Sequence, residues 1–171
     1  MTRRDLIYKW FVYCAGGLLP VWLVGAHILP RFPLFGVIPM LLPLTVAAVA
    51  VLEGGLAGAG FGLAVGLLWE VSTPGGLGLW VLGLSLAGLA IGVLTQYALS
   101  QSLPGCLLCS AGLLALIDSL RVFRGLITHA APLSALLGVA VPEFLLSMLW
   151  SPVVYALFRR IYQRVGGTKL A

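Results

Sequence analysis

Charge is what this sequence has least of. Lys, Arg, Asp and Glu together make up 9% of its 171 residues, against about 25% in a soluble domain. So few polar groups cannot coat a water-soluble globule. Cysteine is scarce as well: Cys14, Cys106 and Cys109 all fall inside apolar runs, where a thiol behaves as a small hydrophobe and implies no disulfide framework. Cys106 and Cys109 form a C-x-x-C, but no second Cys or His pair accompanies it, so it is read as structural rather than as a metal site. Signatures of catalysis are missing too. The chain holds no G-x-S-x-G elbow, no H-E-x-x-H helix and no phosphate-cradling G-x-x-x-x-G-K-[ST]. His27 and His129 sit at expected helix ends, where exposure at the membrane interface explains them. An enzyme is not expected, nor a bound metal or cofactor.

What the sequence has in abundance is apolar length. Hydrophobic residues make up 61% and the mean hydropathy is +1.10, so the bilayer itself is the expected solvent. At about 20 residues per crossing, one all-α membrane domain covering residues 1–171 is expected, a polytopic transmembrane bundle of about six helices. Runs bounded by Pro, Gly and charges place these helices near 6–29, 37–52, 55–71, 77–99, 105–127 and 133–158. The second and third runs are short and meet at Glu53-Gly54-Gly55, which reads as a tight helical hairpin. The opening Thr2-Arg3-Arg4-Asp5 resembles a twin-arginine export signal. The apolar stretch behind it runs to Leu29 without a small-x-small cleavage site, so a retained first helix is the better reading.

The ten basic residues do not form a groove-lining stripe, which argues against nucleic acid. Seven lie at the ends, Arg3, Arg4, Lys9, Arg159, Arg160, Arg164 and Lys169. Basic flanks of this kind stay in the cytoplasm, so both termini are expected inside and the number of crossings even. Arg31, Arg121 and Arg124 then fall toward the outer side, a conflict that five crossings with one re-entrant run would relieve.

Two constellations stand out. Gly54, Gly58, Gly62 and Gly66 recur every four residues and Glu70 continues the series, so a helix would carry them along one face. Such a face lets another backbone come close, either inside the bundle or on a partner helix. Glu70, Asp118, Arg121, Arg124 and Glu143 fall within or at the edge of apolar helices, where an ionisable group costs about 2.5 to 3.5 kcal/mol on insertion scales and turns inward or pairs. Arg121 is expected to pair with Asp118 or Glu143, and Glu70 to be met by Arg124 or by a donor on a partner subunit. The network is read as specifying the fold, with a proton or ion path as the other reading.

The order of these features is similar to that of a known family. A short helix opening Val37-Ile-Pro-Met-Leu-Leu-Pro43 is followed by Glu53-Gly54, a Gly-rich helix ending Gly66-Leu-Leu-Trp-Glu70, and Thr73-Pro-Gly-Gly-Leu-Gly78. The last helix carries Pro142, Pro152 and Tyr155 before Arg159 and Arg160. The whole resembles the rod shape-determining MreD family, with Glu70 where that family typically has Asp. The resemblance implies a non-enzymatic subunit of the bacterial inner membrane that supports peptidoglycan synthesis along the lateral wall. Its implied partners are an MreC-like single-spanning protein, RodA with its penicillin-binding transpeptidase, and indirectly the MreB filament. The family also looks like the substrate-binding subunits of energy-coupling-factor transporters, six-helix bundles of similar size. A vitamin-type binding subunit is therefore the alternative, one that would need a ligand cavity near the outer face.

Overall fold

The computed structural model describes residues 3–31, 36–72, 78–97, 102–129 and 132–165. Over these residues the chain is all-α and consists of six helical rods. The first, α1, runs through residues 3–31; the others are α2 (Leu41–Glu53), α3 (Gly55–Ser72), α4 (Leu79–Tyr97), α5 (Leu103–Ile127) and α6 (Leu133–Val165). All but α2 are long and apolar enough to cross a bilayer. Large apolar side chains such as Leu56, Leu67, Leu82 and Leu149 stand more than half exposed on the outside of the bundle, a surface that suits lipid and not water. The chain is a multi-pass membrane protein.

Proline shapes α1. Its α-helical start, Arg3–Tyr13, widens into π turns at Cys14–Leu18 and Val24–Ile28 before a 3-10 end at Leu29–Arg31. A proline ring clashes with the carbonyl four residues back, and for Pro20 and Pro30 those carbonyls belong to Gly16 and Ala26. Each lies inside one of the wide turns, which make room for the ring.

α2 begins at Leu41 rather than at 37, because Pro39 holds the residue before it out of the helical region. Met40 is extended, at φ −83° and ψ 97°. Pro43 causes no break, since the first turn has no partners for its N–H groups anyway. Thirteen residues give about 20 Å of helix, short of the roughly 30 Å hydrocarbon core. Residues 38–40 ahead of α2 are not helical. Such backbone survives at membrane depth only when protein satisfies it, and the Met40 N–H donates to Ser147 Oγ on α6 at 2.8 Å. The other helices enclose α2 so fully that Val46 to Val51 have no exposed surface.

α3 and α4 form the closest pair. Gly58 lies against the Gly88 carbonyl, Gly62 against that of Leu84 and Gly66 against the Trp80–Val81 backbone, each so near that a Cβ would collide. Gly55 opposes Gly92 in the same way, and Ser85 Oγ donates across the pair to the Ala59 carbonyl at 3.1 Å. One expectation is corrected. Gly54 is not within the helix but at the corner between α2 and α3, with φ +94°, a conformation that suits glycine, and from there it still meets Gln96 and Gly92 of α4. Its N–H closes α2 on Ala50 and its carbonyl accepts the Gly58 N–H. Gly55 takes its place on the face. The expected hairpin of α2 and α3 is present as well, turning at Gly54 with Gly58 close against Ala50.

α6 packs antiparallel to α5, where the Ser151 hydroxyl donates to Ser110 Oγ at 3.2 Å. It also crosses α1: Tyr13 stacks on Phe158 at 6.1 Å, and Gly17 abuts Phe158 and Ile161. α1 thus starts where α6 finishes. The helix continues to Val165, beyond the expected 158, carrying Arg159, Arg160 and Arg164 past the apolar region.

Candidate functional site

The polar groups gather at the two ends of the bundle. At the end where α1 starts, Lys9 Nζ meets Glu53 Oε2 at 2.5 Å, with 9% and 3% of the two side chains exposed. The Tyr13 hydroxyl donates to Glu53 Oε1 at 2.8 Å. α1 supplies the donors and the last residue of α2 the acceptor. Sequence reasoning treated Lys9 as a basic anchor and Glu53 as part of a connection, so it missed this pair. The signal that was there is that both residues were expected on the same side of the membrane.

At the opposite end lies the candidate site. Trp69 of α3 stacks on Trp80 of α4, ring centroids 5.3 Å apart and 16° from parallel. The Arg121 guanidinium of α5 stands 5.6 Å from the Trp69 centroid and 6.0 Å from that of Trp80, within cation–π reach. Its Nη1 reaches Glu143 Oε1 of α6 at 3.3 Å. Four helices thus converge on one guanidinium. Beside it a cavity of about 260 Å³ opens between α1 and the start of α2, lined by Trp22, Gly25, Met40, Trp69, Ser72 and Glu143 among others. Its walls are mainly apolar.

The five intramembrane charges expected to act together separate into distinct environments. Arg121 and Glu143 pair as described, joining α5 to α6. Glu70 accepts the Gly78 N–H and does not meet Arg124, because this donor sits at the head of the next helix while Arg124 lies exposed at the far end of α5. Asp118, one turn before Arg121, is 8% exposed. Its Oδ1 is enclosed without a hydrogen-bond partner. The glycines Gly58, Gly62 and Gly66 are filled from within the chain by α4, and the C-x-x-C thiols are buried, with Cys106 Sγ 3.9 Å from Ser110 Oγ. Among the described residues no three His, Cys, Asp or Glu side chains are grouped to hold a metal ion. Compared with known proteins, the chain matches no family model, no curated protein and no solved structure.

Proposed function

We propose that this chain is a non-enzymatic subunit of the bacterial cell-elongation machinery, of the kind the MreD family supplies. It sits in the cytoplasmic membrane with both termini inside and binds an MreC-like single-spanning protein. Through that protein it supports the RodA and penicillin-binding transpeptidase complex and, indirectly, the MreB filament. The observation that carries this reading is the α3–α4 hairpin. The glycine-rich part of the resemblance makes one joined unit: Gly58, Gly62 and Gly66 admit the α4 backbone, and Glu70 accepts the Gly78 N–H at the end where α3 passes into α4. A loose motif thereby acquires a single mechanical purpose, a rigid two-helix wall.

The cavity beside Glu143 favours a second reading, the vitamin-type binding subunit of an energy-coupling-factor transporter. Its size of about 260 Å³ is near the lower limit for small-molecule sites. Its one carboxylate is already engaged by Arg121, which leaves few groups to orient a polar vitamin.

The test is purification of the tagged chain from its own host's membranes, together with depletion of the chain in growing cells. Recovery of an MreC-like protein and rounding of depleted rods are expected. Recovery of an ATPase and loss of vitamin uptake, with cell shape unchanged, would overturn the reading in favour of the transporter subunit.

A further inference from the structure

Between α5 and α6 a cleft of about 490 Å³ runs along the outside of the bundle. Small side chains, Ala115 and Ser119 on α5 and Ala140 on α6, alternate in its lining with larger apolar ones such as Phe123, Val141 and Phe144. Asp118 stands in the same wall. It lies nine residues before Ile127, the last residue of α5, or about 13 Å down the helix axis, within the hydrocarbon region. A carboxyl group at that depth needs a donor, and this one makes no hydrogen bond in the structure. The nearest cation on its own helix, Arg121, is turned to Glu143 at 3.3 Å. Two carboxyl groups therefore share one guanidinium, and Asp118 Oδ1 is the one left without a donor.

We propose that this cleft seats the transmembrane helix of a partner chain, one that carries a Lys or Arg at the depth of Asp118. The complementarity is both steric and electrostatic. Small side chains let a helix approach closely where lipid gives no hydrophobic drive for association, and the incoming cation supplies the donor that the Asp118 carboxyl lacks. A second copy of this chain suits the cleft poorly. In a two-fold contact about the cleft each copy would bring its own Asp118 and no cation to meet the other's.

The proposal rests on reading the chain as a subunit with a membrane partner, and the experiment separates the two. A photo-reactive phenylalanine analogue is placed at Ser119 or Val141 in the cleft, or at the exposed Leu67 on α3 as a control, and the full chain is irradiated in its host's membranes. Adducts are expected from the cleft positions and not from Leu67. The captured peptide should be an apolar span containing a Lys or Arg. Asp118→Leu should lower the adduct yield at least tenfold. Replacing the captured helix's basic residue by Leu, which leaves this chain untouched, should do the same. Adducts with lipid alone, with a second copy, or with a helix lacking a basic residue would overturn the proposal, as would a yield indifferent to both substitutions. Capture of a basic-residue helix from a protein unlike MreC would uphold the cleft and sink the family reading. Co-purification of an MreC-like protein without any cleft adduct would do the reverse.

Discussion

A charged side chain inside an apolar bundle is stable only in company, and the two ion pairs here differ in how closely they are kept. Lys9 and Glu53 are almost wholly enclosed, whereas Arg121 is 39% exposed beside Glu143 at 15%. Removing one member of a buried pair leaves the other uncompensated, at a cost of about 3 to 5 kcal/mol. Glu53→Gln should therefore lower the thermal midpoint of the detergent-solubilised protein strongly, and Glu143→Gln should lower it less, because water and lipid headgroups screen a half-open pair. The double variant Lys9→Met, Glu53→Leu should regain much of the single-variant loss. If Glu53→Gln melts with the parent, the inner pair contributes nothing to stability. These pairings were only partly legible in the sequence. Arg121 had two candidates within reach, and spacing along one helix pointed to Asp118 as readily as to Glu143. Lys9 with Glu53 was hidden, because a contact between helices depends on their rotation and depth, which residue spacing does not encode. Glu70 found a backbone donor eight residues away, and side-chain patterns say nothing about backbone donors.

At the scale of the helix the same limit appears in another form. The four-residue period of glycine was visible, and so was its meaning as a surface for close approach. Which helix would come close was not, since a face of hydrogens accepts any backbone. The matching residues, Gly88 and Gly92, lie on α4 without any equally regular repeat. The corner at Gly54 misled for a related reason: a glycine needed for its positive φ looks in sequence like one needed for its smallness. Glycines that face open space test the distinction. Gly62→Ala sets a Cβ 2.3 Å from the Leu84 carbonyl oxygen, whereas a Cβ at Gly60 or Gly83 meets nothing within 4 Å. Gly62→Ala should destabilise the fold by about 1 to 3 kcal/mol, the usual range for overpacking. Gly60→Ala and Gly83→Ala should be neutral or stabilising by up to about 1 kcal/mol, the helix-propensity gain. Thermal melts of the three variants side by side decide the matter, and equal melts would mean that the α3–α4 contact is looser than described.

For the whole molecule, α1 begins beside the finish of α6, as Tyr13 with Phe158 and Gly17 with Ile161 attest. The start of α1 and the end of α6 therefore lie at one end of the bundle, and the basic flanks predict which side of the membrane that end occupies. With Cys14, Cys106 and Cys109 replaced, single cysteines at positions 2 and 168 should resist a membrane-impermeant thiol reagent in intact cells and react after the cells are opened. Labelling of one end alone from outside would break the six-pass architecture. The sequence conveyed the class and the six helices, because both are set by apolar length, and five of the six are long enough to span a bilayer. It did not convey that the second would be a short helix behind extended chain, since that arrangement needs Ser147 on a helix more than a hundred residues later.

That distance matters for how the protein is made. α2 leaves the ribosome early, yet the hydroxyl that satisfies the N–H just ahead of it and part of the wall around it arrive with the last helix. Until synthesis ends, this segment can be held in the membrane but not completed, so the nascent chain passes through a long interval as an unfinished shell. A chain that stops before α6 has lost the lock as well as a helix.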